Sequence, residues 1–252
     1  EDRVVIWGPN SPEWLIAPWA IPHLDAVWVP LDPKSTADQA AYVLKHCQAD
    51  AVIMADELWP VLQEMEPEAR PETVVCWNQN GAEHGGVSWQ EMLTGARKTS
   101  PGAMAKLVGN IKRYHLAAIV YTSGTTGRPK GVMLNHEALT NKCLMATERL
   151  GLENQDRLAL FFPLFHMFGN TCIAMAGMVR GATLVMPEAD FEPASALQAM
   201  ADEKCSAIFG TPAMLSALLD HPARQGLDLS ALRRGIIGGA QCPLELMKRV
   251  VE

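Results

Sequence analysis

Between Thr122 and Val132 the chain reads Thr-Ser-Gly-Thr-Thr-Gly-Arg-Pro-Lys-Gly-Val. Gly124, Gly127 and Gly131 permit positive φ and let a ligand approach the backbone closely. Successive main-chain N–H groups in such a turn form a concave anion site. Thr122, Ser123, Thr125 and Thr126 add hydroxyl donors, and Lys130, with Arg128 nearby, adds a point charge. These residue types at this spacing describe a loop that holds a polyphosphate.

The loop is not the ordinary P-loop, which needs Gly-x-x-x-x-Gly-Lys-Ser/Thr with the lysine at a helix start. Here Lys130 lies between Pro129 and Gly131, and Pro129 keeps Arg128 out of helical geometry. The loop therefore cannot pass directly into a helix at Lys130. The bland alternative is a solvated Gly/Thr hairpin turn. It is disfavoured because a hairpin needs about two to five loop residues and no such collection of donors.

Three further stretches carry candidate chemistry. In "FFPLFHMFG" (161–169), His166 sits on a strand-to-helix loop between Phe165 and Phe168, with Gly169 closing it. An isolated histidine there is more often a packed residue bonded to backbone than a catalyst. In "FGTPAML" (209–215), Thr211 and Pro212 open a helix that carries Met214. In "IIGGAQCPLELMKRV" (236–250), Gly238, Gly239 and Ala240 lack bulk, so a flat ring could stack on bare backbone before Gln241. Plain helix capping explains Thr211 equally well, and a tight strand-to-helix turn explains the glycines.

Short apolar runs must position these groups. Strands are expected at 4–7, 26–31, 51–55, 73–77, 116–121, 157–162, 182–186, 206–210 and 234–240, separated by helical patterns. Ser11-Pro12 caps the first helix, in which Pro18 and Pro22 should each force a kink or an end. Thr36 and Gln39 form a capping box, Ser88 and Glu91 open one short helix, and Asn135 and Gly151 bound a helix to Leu150. The alternation predicts right-handed crossovers and an α/β fold with largely parallel sheets, helices on both faces and two lobes. Residues 1–77 make the first lobe segment, the polar 78–113 a connection, and 114–252 the second lobe segment. The chain opens without an initiator Met and stops inside a helical pattern, so it is expected to be part of something longer.

The stretch from Thr122 to Val132 resembles the signature of the adenylate-forming (AMP-binding) superfamily. That superfamily includes acyl- and aryl-CoA synthetases, luciferase and peptide-synthetase adenylation domains. "DRVVIWGPNSPEWLIAPWAI" and "AVWVPLDP" are similar to its N-terminal lobe, with Asp25 standing where relatives commonly carry glycine. The resemblance implies the N-terminal domain of an acid–CoA ligase of the fatty acyl-CoA synthetase branch. Such an enzyme joins a carboxylate to ATP as an acyl-adenylate, with Mg2+ arriving on the nucleotide, and then passes the acyl group to coenzyme A. On that resemblance Thr122, Ser123, Gly124, Thr125, Thr126, Gly127 and Lys130 bind ATP phosphates. His166, Phe168, Gly169, Thr211 and Met214 wall the acyl pocket, and Gly238, Gly239, Ala240 and Gln241 lie beside the adenine. His166 is then a wall residue and not a general base, because a carboxylate is already ionised. The catalytic lysine, a magnesium-holding Thr-Glu pair and a ribose-binding aspartate are expected in a part of the protein beyond these residues. No catalytic residue and no metal-ligand set is therefore assigned within them.

Met167, Met175 and Met178 favour an apolar, fatty acyl group and leave an aromatic acid open; they fit ordinary helix core as well. A net charge of −7 argues against a nucleic-acid partner, which needs a basic face. The longest apolar run, "TCIAMAGMV", ends at Arg180 and is too short to span a bilayer. The cysteines at 47, 76, 143, 172, 205 and 242 form no CxxC pair and are expected as free thiols in a reducing, cytoplasmic setting. A hydrolase is disfavoured because no Gly-x-Ser-x-Gly elbow exists. His136-Glu137 opens like a zinc protease motif, but residue 140 is threonine. A non-catalytic nucleotide-binding module remains the alternative outside enzymes.

Overall fold

The computed structural model describes residues 2–77, 85–122 and 128–251. The chain divides into two compact units, 1–140 and 141–252. In the first, a seven-stranded sheet has the order β5-β4-β3-β1-β2-β6-β7. Its strands are β1 (Arg3–Trp7), β2 (Val27–Leu31), β3 (Ala51–Met54), β4 (Thr73–Cys76), β5 (Val87–Ser88), β6 (Leu116–Thr122) and β7 (Lys130–Asn135). All neighbours are parallel except β6 and β7, which form an antiparallel pair. Such sheets bury both faces, and Trp7, Trp28, Val5, Val29, Val52 and Met54 are shielded from solvent.

The sequence puts a division at 113/114, but the strand pairing does not stop there. β5 joins β4, and β6 continues the sheet from β2. The 78–113 segment also carries two helices, α4 (Trp89–Ala96) and α5 (Pro101–Asn110). The capping box is formed at α4, where Ser88 Oγ accepts from Glu91 N at 3.2 Å and the Glu91 carboxylate accepts from Ser88 N at 2.9 Å. At α5 Ser100 Oγ accepts from Ala103 N at 3.2 Å, with Pro101 as the first helical residue and no reciprocal bond.

Helix α1 (Pro12–Ala20) starts on Ser11, whose Oγ accepts from Trp14 N at 3.0 Å. It runs through Pro18 instead of ending there. It then tightens into a 3₁₀ turn over Ile21–Leu24, which holds Pro22. The turn closes on Asp25 at φ 57, a left-handed conformation that glycine meets without a Cβ penalty. The Asp25 carboxylate is 2.7 Å from His115 Nδ1, which ties this corner to the start of β6. Trp14 packs edge-on against Trp28, ring centres 6.4 Å apart. Pro30, buried in β2 opposite Ile6, has no N–H to donate, and the β2–β6 ladder is limited to Trp28 with Ala118.

Helix α2 (Ala37–His46) opens with the expected reciprocal box: Gln39 N donates to Thr36 Oγ1 at 3.3 Å, and Thr36 N to Gln39 Oε1 at 3.0 Å. It buries Ala40, Val43 and Leu44. Helix α3 (Trp59–Gln63) fills the crossover to β4. The unit boundary falls inside α6 (His136–Leu150), whose first turn is capped by Asn135 Oδ1 accepting from Ala138 N at 2.8 Å. Gly151 follows at φ +61, the left-handed stop.

The second unit has an all-parallel sheet in the order β11-β10-β8-β9. Its strands are β8 (Arg157–Ala159), β9 (Thr183–Val185), β10 (Ala207–Gly210) and β11 (Arg234–Ile237). A wide π-helical stretch, Phe168–Met175, leads into α7 (Ala176–Arg180). The others are α8 (Pro193–Asp202), α9 (Pro212–Asp220) and α10 (Leu244–Val251). Phe161, Val185, Leu197, Met200, Leu215 and Leu218 form its core.

One residue staples the N-terminal edge of this sheet. Asp156, fully buried, precedes β8. Its carbonyl accepts from Thr183 N at the head of β9, and its carboxylate accepts from Ser206 Oγ at 2.6 Å, just before β10. The same carboxylate takes Glu153 N at 2.8 Å, Arg233 at 2.5 Å and Arg234 at 3.5 Å, beside β11. Burial alone pushes the acid's pKa up. The Ser206 and Glu153 hydrogen bonds and the two arginines outweigh it and hold Asp156 below its ordinary value.

Candidate functional site

In open α/β sheets ligands collect beyond the carboxyl ends of the strands. The candidate residues sit at those ends in each unit. In the first, β6 and β7 form a hairpin in register from Ala118–Leu134 to Thr122–Lys130, with a shift between Leu116 and Ala118. Thr122 and Lys130 therefore face each other, both exposed, at the base of the loop. Ser123, Gly124, Thr125, Thr126 and Gly127 lie outside the described residues. A strand, not a helix, follows Lys130, as the Arg128-Pro129 sequence demands. The hairpin set against the phosphate loop in the sequence is thus the observed topology, and its loop is longer than tight turns use.

Gly131 lets the hairpin close. A Cβ there would come within 2.7 Å of Ile119 Cγ2 and 3.3 Å of the Tyr121 ring. Two residues of α2 brace the same hairpin, and neither was singled out in the sequence. Tyr42 Oη donates to the Pro129 carbonyl at 3.0 Å, and the Arg128 guanidinium lies 5.2 Å from the centre of the Tyr42 ring. His46 Nδ1 is 2.7 Å from Tyr121 Oη. Burial pushes the Tyr121 phenol above its ordinary pKa, so it stays protonated. The signal that could have found this pair is an aromatic and a histidine at i, i+4 on one face of a capped helix.

In the second unit the expected acyl and adenine residues come together. Phe168 opens the π-helical stretch and stacks edge-on against Phe162, ring centres 4.9 Å apart. Its ring carbons lie 3.6 and 3.9 Å from where a Gly238 Cβ would stand. A Gly239 Cβ would meet Thr211 Cγ2 at 3.4 Å, and Gly239 holds φ +84. Thr211 Oγ1 accepts from Met214 N at 3.2 Å and caps α9 as expected, while Met214 leans on the core. Ala240 and Gln241 are exposed beyond the strand end.

Gly169 has no room for a side chain: a Cβ would fall 2.2 Å from the Pro163 carbonyl oxygen. Asn170, also buried, donates from Nδ2 to the Leu164 carbonyl at 3.0 Å and so fixes the loop that carries His166. His166 Nδ1 accepts from Phe168 N at 3.1 Å, which leaves the proton on Nε2. Desolvation of the ring lowers its pKa, although one part of the residue stays exposed. A neutral imidazole with one donor N–H can hydrogen-bond an anionic oxygen but has no charge to give it.

A π-helical stretch here was not legible from periodicity. Wide turns of this kind recur at functional sites because they re-aim side chains within a helix.

The fold is that of the N-terminal domain of adenylate-forming enzymes. The chain belongs to the AMP-binding enzyme family, whose model matches residues 1–252. It is 33% identical to the YngI protein of Bacillus subtilis, covering 100% of this chain and 49% of that protein. It is 32% identical to a substituted indenylpropanoyl:CoA ligase of Mycobacterium tuberculosis, covering 99% of this chain and 49% of that enzyme. The inhibitor-bound N-terminal domain of FACL13 from Mycobacterium tuberculosis superposes with a TM-score of 0.81 at 25% identity, covering 99% of this chain and 60% of that one. The chain thus spans about half the length of the curated relatives it matches.

Proposed function

We propose that this chain supplies the ATP- and acid-binding part of an AMP-forming acid–CoA ligase. What supports it most is the Thr122–Lys130 pair at the mouth of a Gly/Thr-rich hairpin, in a chain whose relatives carry the name of CoA ligases. Thr122 to Gly127 and Lys130 hold the triphosphate, and Mg2+ enters with it. The substrate carboxylate oxygen bonds to the α-phosphorus as the bond to the β-phosphate oxygen breaks and pyrophosphate leaves. Charge grows on the phosphate oxygens in that step, so fixed N–H donors and Lys130 serve it best. Gly238, Gly239, Ala240 and Gln241 offer adenine a flat face. That face fits a planar base, since even an added Gly238 Cβ would meet only the Phe168 ring at ordinary contact distance. His166, Phe168, Gly169, Thr211 and Met214 border an apolar, fatty acyl group, and coenzyme A takes the acyl group from AMP.

No helix of the described residues is long and apolar enough to cross a membrane. The six free cysteines fit a reducing compartment, and we place the protein in the cytoplasm.

The test is a thermal shift with a non-hydrolysable acyl-adenylate mimic. At a hundred times Kd, binding stabilises by about 2.7 kcal/mol. Lys130→Ala and Gly238→Val should each lose most of that shift while melting normally without ligand. A wild-type protein whose Tm ignores the mimic sinks the assignment. A panel of acids in ATP–pyrophosphate exchange, on a protein extended to the relatives' full length, then ranks fatty against aromatic substrates.

A further inference from the structure

We propose that Lys142 and Cys172 form a redox-modification site: a peroxide oxidises the Cys172 sulfur, and the Lys142 nitrogen then closes on it to give a sulfenamide cross-link. The pair does not depend on the nucleotide and acyl assignments above.

Two elements build it. Lys142 and Cys143 are neighbours on α6, and Thr171 and Cys172 are neighbours in the π-helical stretch. Fully buried Thr171 sets the geometry. Its Oγ1 donates to the Met167 carbonyl at 2.7 Å and accepts from Lys142 Nζ at 2.6 Å, while its own carbonyl accepts from Cys143 Sγ at 3.4 Å. Lys142 Nζ, so held, donates to Cys172 Sγ at 2.8 Å. A free lysine sweeps many positions; this one has lost that freedom on folding and keeps its nitrogen on one sulfur.

The other thiols differ. Cys47, Cys76, Cys143 and Cys205 are buried, and burial pushes Cys47, Cys76 and Cys205 up to about 11 and Cys143 upward as well. Such thiols are inert. Cys242 is part-exposed, but its Sγ faces the Pro243 carbonyl at 3.7 Å, an acceptor and not a cation. Cys172 combines partial exposure with a touching lysine, the electropositive and reachable setting of redox-active cysteines.

Hydrogen peroxide suffices as the oxidant. The Cys172 sulfur attacks one peroxide oxygen, the S–O bond forms, the O–O bond breaks, and the departing hydroxide takes the thiol proton and becomes water. The peroxide is reduced and the sulfur is now a sulfenic acid. Lys142 releases its ammonium proton to solvent, and its nitrogen lone pair attacks that sulfur. The S–N bond forms, the S–O bond breaks, and hydroxide leaves as water with a second proton from the nitrogen. Sulfenic acids condense with a nitrogen in reach, which stops oxidation short of the irreversible sulfinic acid. Two equivalents of thiol, passing through a mixed disulfide, reduce the link and free both side chains.

The test treats the intact protein with hydrogen peroxide and follows its peptides by mass spectrometry, for the wild type, Lys142→Arg and Cys172→Ser. In the wild type a Lys142–Cys172 link, lighter than its two peptides by two hydrogens, should appear, and dithiothreitol should remove it. Cys172 should be consumed about tenfold faster than Cys242, the scale of one charge-assisted hydrogen bond, and the preference should vanish in urea. Lys142→Arg keeps a cation on the sulfur but has no amine to close the link. Its Cys172 should still oxidise first and be trapped as the sulfenic acid by dimedone. Cys172→Ser should give neither product. If a variant fails to fold, the wild-type link and its loss in urea decide alone. Equal consumption of Cys172 and Cys242, oxidation of wild-type Cys172 without a link, a Cys143–Cys172 disulfide, or a bridge that retains an oxygen each overturns the proposal. A preference that survives urea comes from local sequence and not from the folded pair, and overturns it too.

Discussion

The N-terminal edges of the two sheets are pinned by the same device in opposite settings. In the first unit Arg3, at the head of β1, pairs with Asp50 before β3, with Arg3 N donating to Asp50 Oδ2 at 2.8 Å and the guanidinium 3.2 Å from it. That pair is partly open to water. In the second, Asp156 gathers the heads of all four strands while wholly buried. An exposed pair contributes little because water and salt screen it. A buried carboxylate held by Ser206, Glu153 and two arginines is different: Arg233 and Arg234 still reach water, but the buried acid organises hydrogen bonds that are lost when its charge goes. The first unit must then draw its stability from apolar burial, and the second from burial plus one titratable staple.

Three substitutions sharpen that contrast. Trp28→Ala empties the centre of the first sheet, where Trp14, Trp28 and Val29 are solvent-free. It should cost about 4 kcal/mol, equally at pH 7 and pH 4, and peptide-resolved hydrogen exchange should show the loss within 1–140. Asp156→Asn should cost about 3 kcal/mol at pH 7, with exchange rising in 141–252. Because the folded-state pKa of Asp156 is held down, its contribution is full above the unfolded value of about 3.9 and fades as pH falls through the folded one. The gap between wild type and variant should therefore close in acid, and a gap that persists would show packing, not charge, to be at stake. Asp50→Asn should cost about 0.5 kcal/mol, and less in 1 M salt. A loss near that of Asp156→Asn would erase the distinction.

The elements that the sequence displayed well were those with local signals. Ser11, Thr36, Ser88, Asn135 and Thr211 all cap the helices expected of them. β7 was missed because Lys130–Asn135 shows no alternation and buries none of its residues, so the strand depends on its partner. α5 was missed because Gly102 and Gly109 dilute its helical pattern, although Ser100-Pro101 marked its start. Pro18 misled in the other direction: packing of Trp14 and Ala17 on the core offsets one lost backbone bond. Within the candidate site, glycine strand ends and capped helices were readable, but the bracing of the hairpin by α2 joins residues 87 positions apart and has no local signature. Asp25 is the instructive departure. The backbone there is left-handed, a conformation glycine meets freely, and aspartate occupies it with His115 as partner.

The contact of Gly169 with the Pro163 carbonyl has a bearing on how this chain can diversify. With no room for even a methyl group, that crossing is a welded joint. In the acyl wall proposed above, changes of acid preference would then have to come from the side chains at 166, 168 and 214, while the joint stays as it is. The wall can be refurnished but not moved.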